Sequence, residues 1–197
     1  MVLLTARFLG AFLFILMASC IAEALPGDES TPGFISDYLM QIDEVQKQIL
    51  SLENAVPQEK FGWRPAEGVR SIGEAYNHIA FGNYLLLKFQ GFDPPSDVAP
   101  MIDVTKLNDW DSSAKDKAAI ADRLTKSFDH LRGLVARMSE ADLETKTEFF
   151  GQTMTRRNML LSALSHLHEH LGQSIAYARM NGVVPPWTVE QQQGSGN

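Results

Sequence analysis

Residues 34–57 read FISDYLMQIDEVQKQILSLENAVP. Ile35, Tyr38, Ile42, Val45, Ile49, Leu52 and Val56 recur at steps of three and four, one apolar stripe along a helix of about six turns. Pro57 lacks an amide N–H and ends it. Outward from this stretch the pattern repeats. Trp63-Arg64-Pro65 leads to Ser71-Ile72-Gly73-Glu74, a capping box in which a serine hydroxyl and a glutamate satisfy orphan N–H groups reciprocally. It opens a second helix to about Gln90, with Ile72, Ala75, Ile79, Phe81, Leu85, Leu86 and Phe89 as its apolar set. Asp111-Ser112-Ser113 is the expected cap of a third helix, whose core face is Ile120, Leu124, Phe128, Leu131, Val135 and Met138. A fourth runs over residues 156–180 and stops at Asn181-Gly182, before Pro185-Pro186. The connection 91–110 carries Pro94, Pro95 and Pro100 and has low helical tendency, and residues 148–155 read as a short turn or hairpin. Four long amphipathic helices predict an all-α fold, an antiparallel four-helix bundle.

The chain has 197 residues, with 17 Lys+Arg against 24 Asp+Glu and a net charge of −7. A 45% hydrophobic, 21% charged composition is that of a globular domain, not of a disordered or collagen-like chain. The acidic balance argues against nucleic acid as a partner, which requires a basic footprint. Residues 1–24 read as a signal peptide. Arg7 precedes the apolar run 8–18, and Ala22-Glu23-Ala24 places small residues at −3 and −1 of a cleavage point. Met17-Ala18-Ser19-Cys20 offers an alternative, a loose lipobox in which Cys20 is lipidated and anchors the protein. Residues 25–33 then form a linker, 34–187 the bundle and 188–197 a flexible tail. The expected location is periplasmic or extracellular. Cys20 is the single cysteine and leaves with the leader, so a metal must be held by His, Asp or Glu.

Five histidines are present, and three fall within residues 165–173, SHLHEHLGQ. His166 and His170 are one helical turn apart and share a face, the spacing that lets two imidazoles grip one metal. The HExxH motif is absent: from His168, Gly172 stands where its second histidine belongs. His168 lies about 200° around the helix from its neighbours and reads as surface. His130, near Arg123, Lys126 and Arg137, also reads as solvated. His78 has Ala75, Phe81, Gly82 and Leu85 as helical neighbours and sits on or beside an apolar face; Met159, Ala163 and Tyr177 make the His166/His170 face similarly apolar. Buried imidazoles need partners. Either one divalent cation satisfies all three, or each is a core histidine bonded to a carbonyl or water.

Three stretches resemble the DinB-like family of small helical metal-binding proteins: Trp63-Arg64-Pro65 through Ser71-Ile72 to His78-Ile79; Phe150-Gly151-Gln152-Thr153-Met154-Thr155; and His166-Leu167-His168-Glu169-His170-Leu171-Gly172-Gln173, followed by Tyr177 and Gly182-Val183-Val184-Pro185-Pro186. The resemblance spans about residues 34–187. It implies a four-helix bundle in which His78, His166 and His170 ligate zinc or nickel, with iron or manganese as further candidates, often in a homodimer. It also implies a hydrolase or thiol-type transferase acting on a small molecule. Two departures stand out. Leu171 follows the last histidine where the family often has Arg, and a leader is present where most members are cytoplasmic. Export removes the chain from the cytosolic thiol pool.

Three neutral imidazoles leave coordination positions open, the plan of a catalytic zinc site, and the positive centre attracts an anion. Glu74 is a candidate general base or His78 orienter beside its capping role; Gln173 and Tyr177 are candidate pocket residues or helix-packing groups. Trp63, Phe81 and Trp187 read as core or edge aromatics. Two further readings remain at this level: a non-catalytic metal- or ligand-binding bundle, and a helical scaffold without metal.

Overall fold

The structure is a computed structural model, and it describes residues 33–194. The expected leader, its Cys20 and the linker up to residue 32 lie outside the described residues, as do residues 195–197. Helix α1 spans Phe34–Ala55 and buries Tyr38, Ile42, Val45, Ile49 and Leu52, while Ile35 at its first turn is only half-buried. Helix α2, Ile72–Lys88, begins at the expected capping box: Glu74 N–H donates to Ser71 Oγ at 3.3 Å and Ser71 N–H to Glu74 Oε2 at 2.7 Å.

The chain then makes two 3₁₀ turns and a short helix α3, Leu107–Ser113, before α4 at Lys117–Val135. Asp111, Ser112 and Ser113 therefore lie inside α3 and cap nothing. The cap of α4 is Asp116, which accepts from Ala119 N–H at 3.0 Å. The physical reason is Asn77. Its Nδ2 donates to Asp111 O at 2.8 Å and Ala114 O at 2.9 Å, and its own carbonyl accepts from Trp110 Nε1 at 2.8 Å. These bonds satisfy the end of α3 internally and draw Trp110 and Asp111 into burial.

Helix α5, Glu140–Leu143, precedes an antiparallel hairpin of β1, Lys146–Phe149, and β2, Gln152–Thr155, with Lys146 opposite Thr155 and Phe149 opposite Gln152. Its turn places Phe150 at φ 47° and Gly151 at φ 79°, the backbone a two-residue hairpin loop requires. Helix α6 covers Arg156–Met180, and Gly182 turns the chain away at φ 73°. Within the span read as a tail, residues 188–194 belong to α7, Pro186–Gly194.

The protein is mostly helical. Helix α2 packs on α4 and α6, and α1 packs on the same two, so the four long helices share one core. The expected face of α4 is buried throughout: Ile120, Leu124, Phe128, Leu131 and Val135, with Met138 just beyond the helix. Each such side chain contributes roughly 1.5–3 kcal/mol. Helix α2 departs from a one-sided pattern. Packed against α3 as well as α4 and α6, it also buries Tyr76, Ala80, Tyr84 and Leu87, whereas Leu85, Leu86 and Phe89 are only half-buried. Among the described residues, no helix is long and apolar enough to cross a membrane.

Candidate metal centre

Helix α2 brings His78, and α6 brings His166 and His170, to one point at the α2–α6 contact. One ring nitrogen from each lies within 4.8 Å of the others. The Nε2 atoms of His78 and His166 are 3.3 Å apart, and the ring centroids are separated by 4.5 to 5.3 Å. The i, i+4 spacing on α6 holds two of the rings; the third needs the helices to approach closely, and Gly82 permits this. A Cβ on Gly82 would fall 2.3 Å from Cε1 and 2.9 Å from Nδ1 of His166, closer than real contacts allow. The glycine thus forms the seat of the His166 ring.

A neighbouring group fixes the proton on one ring, and a second ring faces a carboxylate. Gln173 Nε2 donates to Tyr177 Oη at 3.0 Å, which leaves Gln173 Oε1 to accept from His170 Nδ1–H at 2.9 Å. His170 Nε2 is then a lone pair. Asp111 Oδ2 lies 3.5 Å from His78 Nδ1, long for a hydrogen bond, and among the described residues Nδ1 has no other partner. A carboxylate on that side stands where the carboxylate–histidine pairs that support a bound metal place theirs. Asp111 is in turn held by Arg70, whose Nε donates to Oδ2 at 2.6 Å. Burial, the adjacent His170 and His78, and the Arg70 charge push His166 down to about 3, and burial is the main cause that lowers His170. Both rings are neutral near pH 7, the state in which imidazole binds a metal. Three ring nitrogens this close, two of them on rings that burial keeps neutral and one of those with its proton turned outward by Gln173, fit a divalent ion bound through nitrogen.

The other expected positions sort themselves. His168 is exposed, its Nδ1–H bonded to Leu164 O at 3.0 Å. His130 departs from the solvated reading: it is half-buried beside Tyr84, with ring centroids 5.5 Å apart, and its Nε2 is enclosed with no hydrogen-bond partner among the described residues. The Tyr84 ring lies tilted against it, and periodicity along α4 alone does not reveal a neighbour on α2. Phe81 is buried, and Trp63 and Trp187 pack partly buried against the core. Glu74 has both oxygens engaged, Oε2 by Ser71 N–H and Oε1 by Arg64 Nη2 at 3.1 Å. Beside the histidines lies a cleft of about 590 Å³ whose walls include Arg64, Arg70, Glu74, Asn108, Asp111 and Gln173. Tyr177 is buried behind Gln173, edge-on to Trp63 at 5.6 Å.

Asp111, Arg70 and Gly82 were not legible as site residues. Asp111 reads as a helix cap, and nothing local links it to His78. Gly82 carries a faint signal: a glycine one turn after a candidate ligand, inside a helix, marks a close approach.

The chain belongs to the DinB superfamily, whose pattern matches residues 41–174. The crystal structure of a DinB-like protein from Bacillus cereus ATCC 10987 is similar at a TM-score of 0.63 and 20% identity, covering 76% of this chain and 93% of that one. A DinB-like protein from Bacillus subtilis gives 0.56 at 18% identity, covering 74% and 92%. At these identities the likeness speaks for the fold alone. No curated protein matches the chain.

Proposed function

We propose that this chain is an exported metalloprotein, an antiparallel four-helix bundle acting as a homodimer, in which His78, His166 and His170 hold a divalent ion for a hydrolase or transferase reaction on a small molecule. Zinc and nickel suit three imidazoles best, and iron and manganese are the next candidates. The observation that carries this reading is the convergence of three ring nitrogens within 4.8 Å beside an open cleft. A divalent ion held there supplies Lewis acidity toward a carbonyl, a water or a thiol of the substrate. The chain's own residues do the rest. Gln173 holds His170 by its Nδ1 side, Asp111 stands 3.5 Å from His78 Nδ1, and Gly82 seats the third ring. The walls of the cleft orient the substrate, with Gln173 and Glu74 at its edge and Tyr177 bracing Gln173.

One observation favours a second reading, a metal centre that binds without turnover. Both Glu74 oxygens are already engaged, so the nearest carboxylate to the cleft other than Asp111 is not free to move a proton. Elemental analysis of untagged protein, followed by ester, amide and thiol-transfer assays of wild type and His170→Ala, tests both. Bound metal and a rate abolished in the variant support the enzyme. Bound metal with no rate supports the binding module. Absence of metal from protein exposed to zinc and nickel refutes both.

A further inference from the structure

The charged side chains on the walls of the cleft beside the histidines balance one another, in a chain that is acidic overall. The cleft's two carboxylates are each matched by a guanidinium: Glu74 by Arg64 at 3.1 Å and Asp111 by Arg70 at 2.6 Å. The three imidazoles add no negative charge, so a divalent ion leaves the site with a surplus of about two positive charges. The two arginines are not equivalent. Arg64 spends both terminal nitrogens inside the protein, Nη1 on Val69 O at 3.0 Å and Nη2 on Glu74. Arg70 uses only Nε, on Asp111, and among the described residues its Nη1 and Nη2 have no hydrogen-bond partner. Asp111 pins the guanidinium at its inner edge and leaves the two-pronged outer edge available, the geometry that a carboxylate meets with two parallel bonds. Asn108, from α3, lines the same cleft, and its side-chain amide is a neutral donor. The volume, about 590 Å³, is that of a small-molecule site.

We propose that this cleft selects a small organic carboxylate, gripped by Nη1 and Nη2 of Arg70 with Asn108 beside it, and so presents the far end of the molecule to the histidine trio. The placement of that far end rests on the metal-centre reading above; the anion grip does not. Arg70 is thereby the specificity residue, oriented by the Asp111 oxygen that also faces His78 Nδ1 at 3.5 Å.

The test is calorimetric titration of the full-length, untagged, zinc-loaded protein with succinate, with its uncharged analogue succinamide and with sulfate, in wild type, Arg70→Gln and Arg70→Lys. Succinate is expected to bind at least about tenfold tighter than succinamide. Arg70→Gln should erase that ratio, and Arg70→Lys should restore part of it. A merely structural role for Arg70 would weaken both ligands alike and leave the ratio intact, which overturns the proposal. Equal binding of succinate and succinamide by wild type also overturns it, as does Arg70-dependent binding of sulfate without succinate. The same titrations in zinc-free His166→Ala separate the two readings. An Arg70-dependent preference for succinate that persists there supports the grip even if the metal centre fails. A preference that vanishes with the ion shows that the anion sat on the metal alone, and the proposal falls.

Discussion

Replacing Gly82 by alanine should separate metal binding from folding, because it pushes them in opposite directions. The added Cβ would stand 2.3 Å from His166 Cε1, whereas ordinary contact begins near 3.4 Å, so the imidazole must retreat by about 1 Å. Ligand distances in a metal site tolerate roughly 0.2 Å. His166 is then lost as a ligand or held far off its line. Disturbing a group that merely orients a ligand lowers affinity by about 10–100-fold. Losing one of three ligands should exceed the upper end of that range, so metal affinity is expected to fall by at least about 100-fold, or roughly 2.7 kcal/mol. The helix itself gains. Glycine in a helix interior is about 0.5–1 kcal/mol worse than alanine, and the His166 ring, the far end of a side chain, is only half-buried. The metal-free variant should match or slightly exceed wild type in stability. Competition against a chelator of known affinity reads the first quantity, and urea unfolding of the metal-free proteins reads the second. Unchanged metal affinity in Gly82→Ala refutes the seating argument. A metal-free variant less stable by more than about 2 kcal/mol shows that the ring cannot yield and that Gly82 serves packing.

Other outcomes follow from the same geometry. Chelation of the loaded protein should lower its melting temperature by roughly 5–10 °C when free metal exceeds its dissociation constant about 100-fold, and His170→Ala should remove that sensitivity in scanning calorimetry. Asp111→Asn should retain the fold but weaken metal binding by about 10–100-fold in the same chelator competition, through its contact with His78. Burial raises buried Glu53 from 4.5 to about 6, with Lys117 opposing, so the folded state favours its protonated form. That contribution is complete below pH 4.5 and is lost as pH rises through 6. Glu53→Gln should therefore be more stable than wild type at pH 7.5, by on the order of 1 kcal/mol after allowance for screening, with the difference closing at pH 4.5 in urea titrations. Asn77→Ala should cost about 2 kcal/mol by leaving the carbonyls of Asp111 and Ala114 without their donor, measured as a lower urea midpoint.

The parts of the fold legible in the sequence are those whose burial is one-sided. The stripes of α1 and α4 and the bounds of α6 follow from period and stop signals, because each presents one face to the core and the other to water. Helix α2 resists that reading. Enclosed by α3, α4 and α6, it has no consistent polar face, and Tyr76, Ala80, Tyr84 and Leu87 fall outside the expected set. The histidine trio was visible because two members share a helical turn and the third interrupts an apolar surface. Its supports were not. Asp111 lies 33 residues beyond His78 in sequence and reaches it only because Asn77 fastens α3 across the second helix. Arg70, just ahead of a helix cap, looks like any solvated cation until Asp111 is placed opposite it.

The short helix α3 has a consequence for how such a protein diversifies. Seven residues carry both the carboxylate behind one histidine and part of the wall of the cleft proposed to take a small molecule. Grafting a different loop over residues 98–113 onto an otherwise constant scaffold would retune ion affinity and guest preference in a single exchange. Selection acting on one of these traits would drag the other with it.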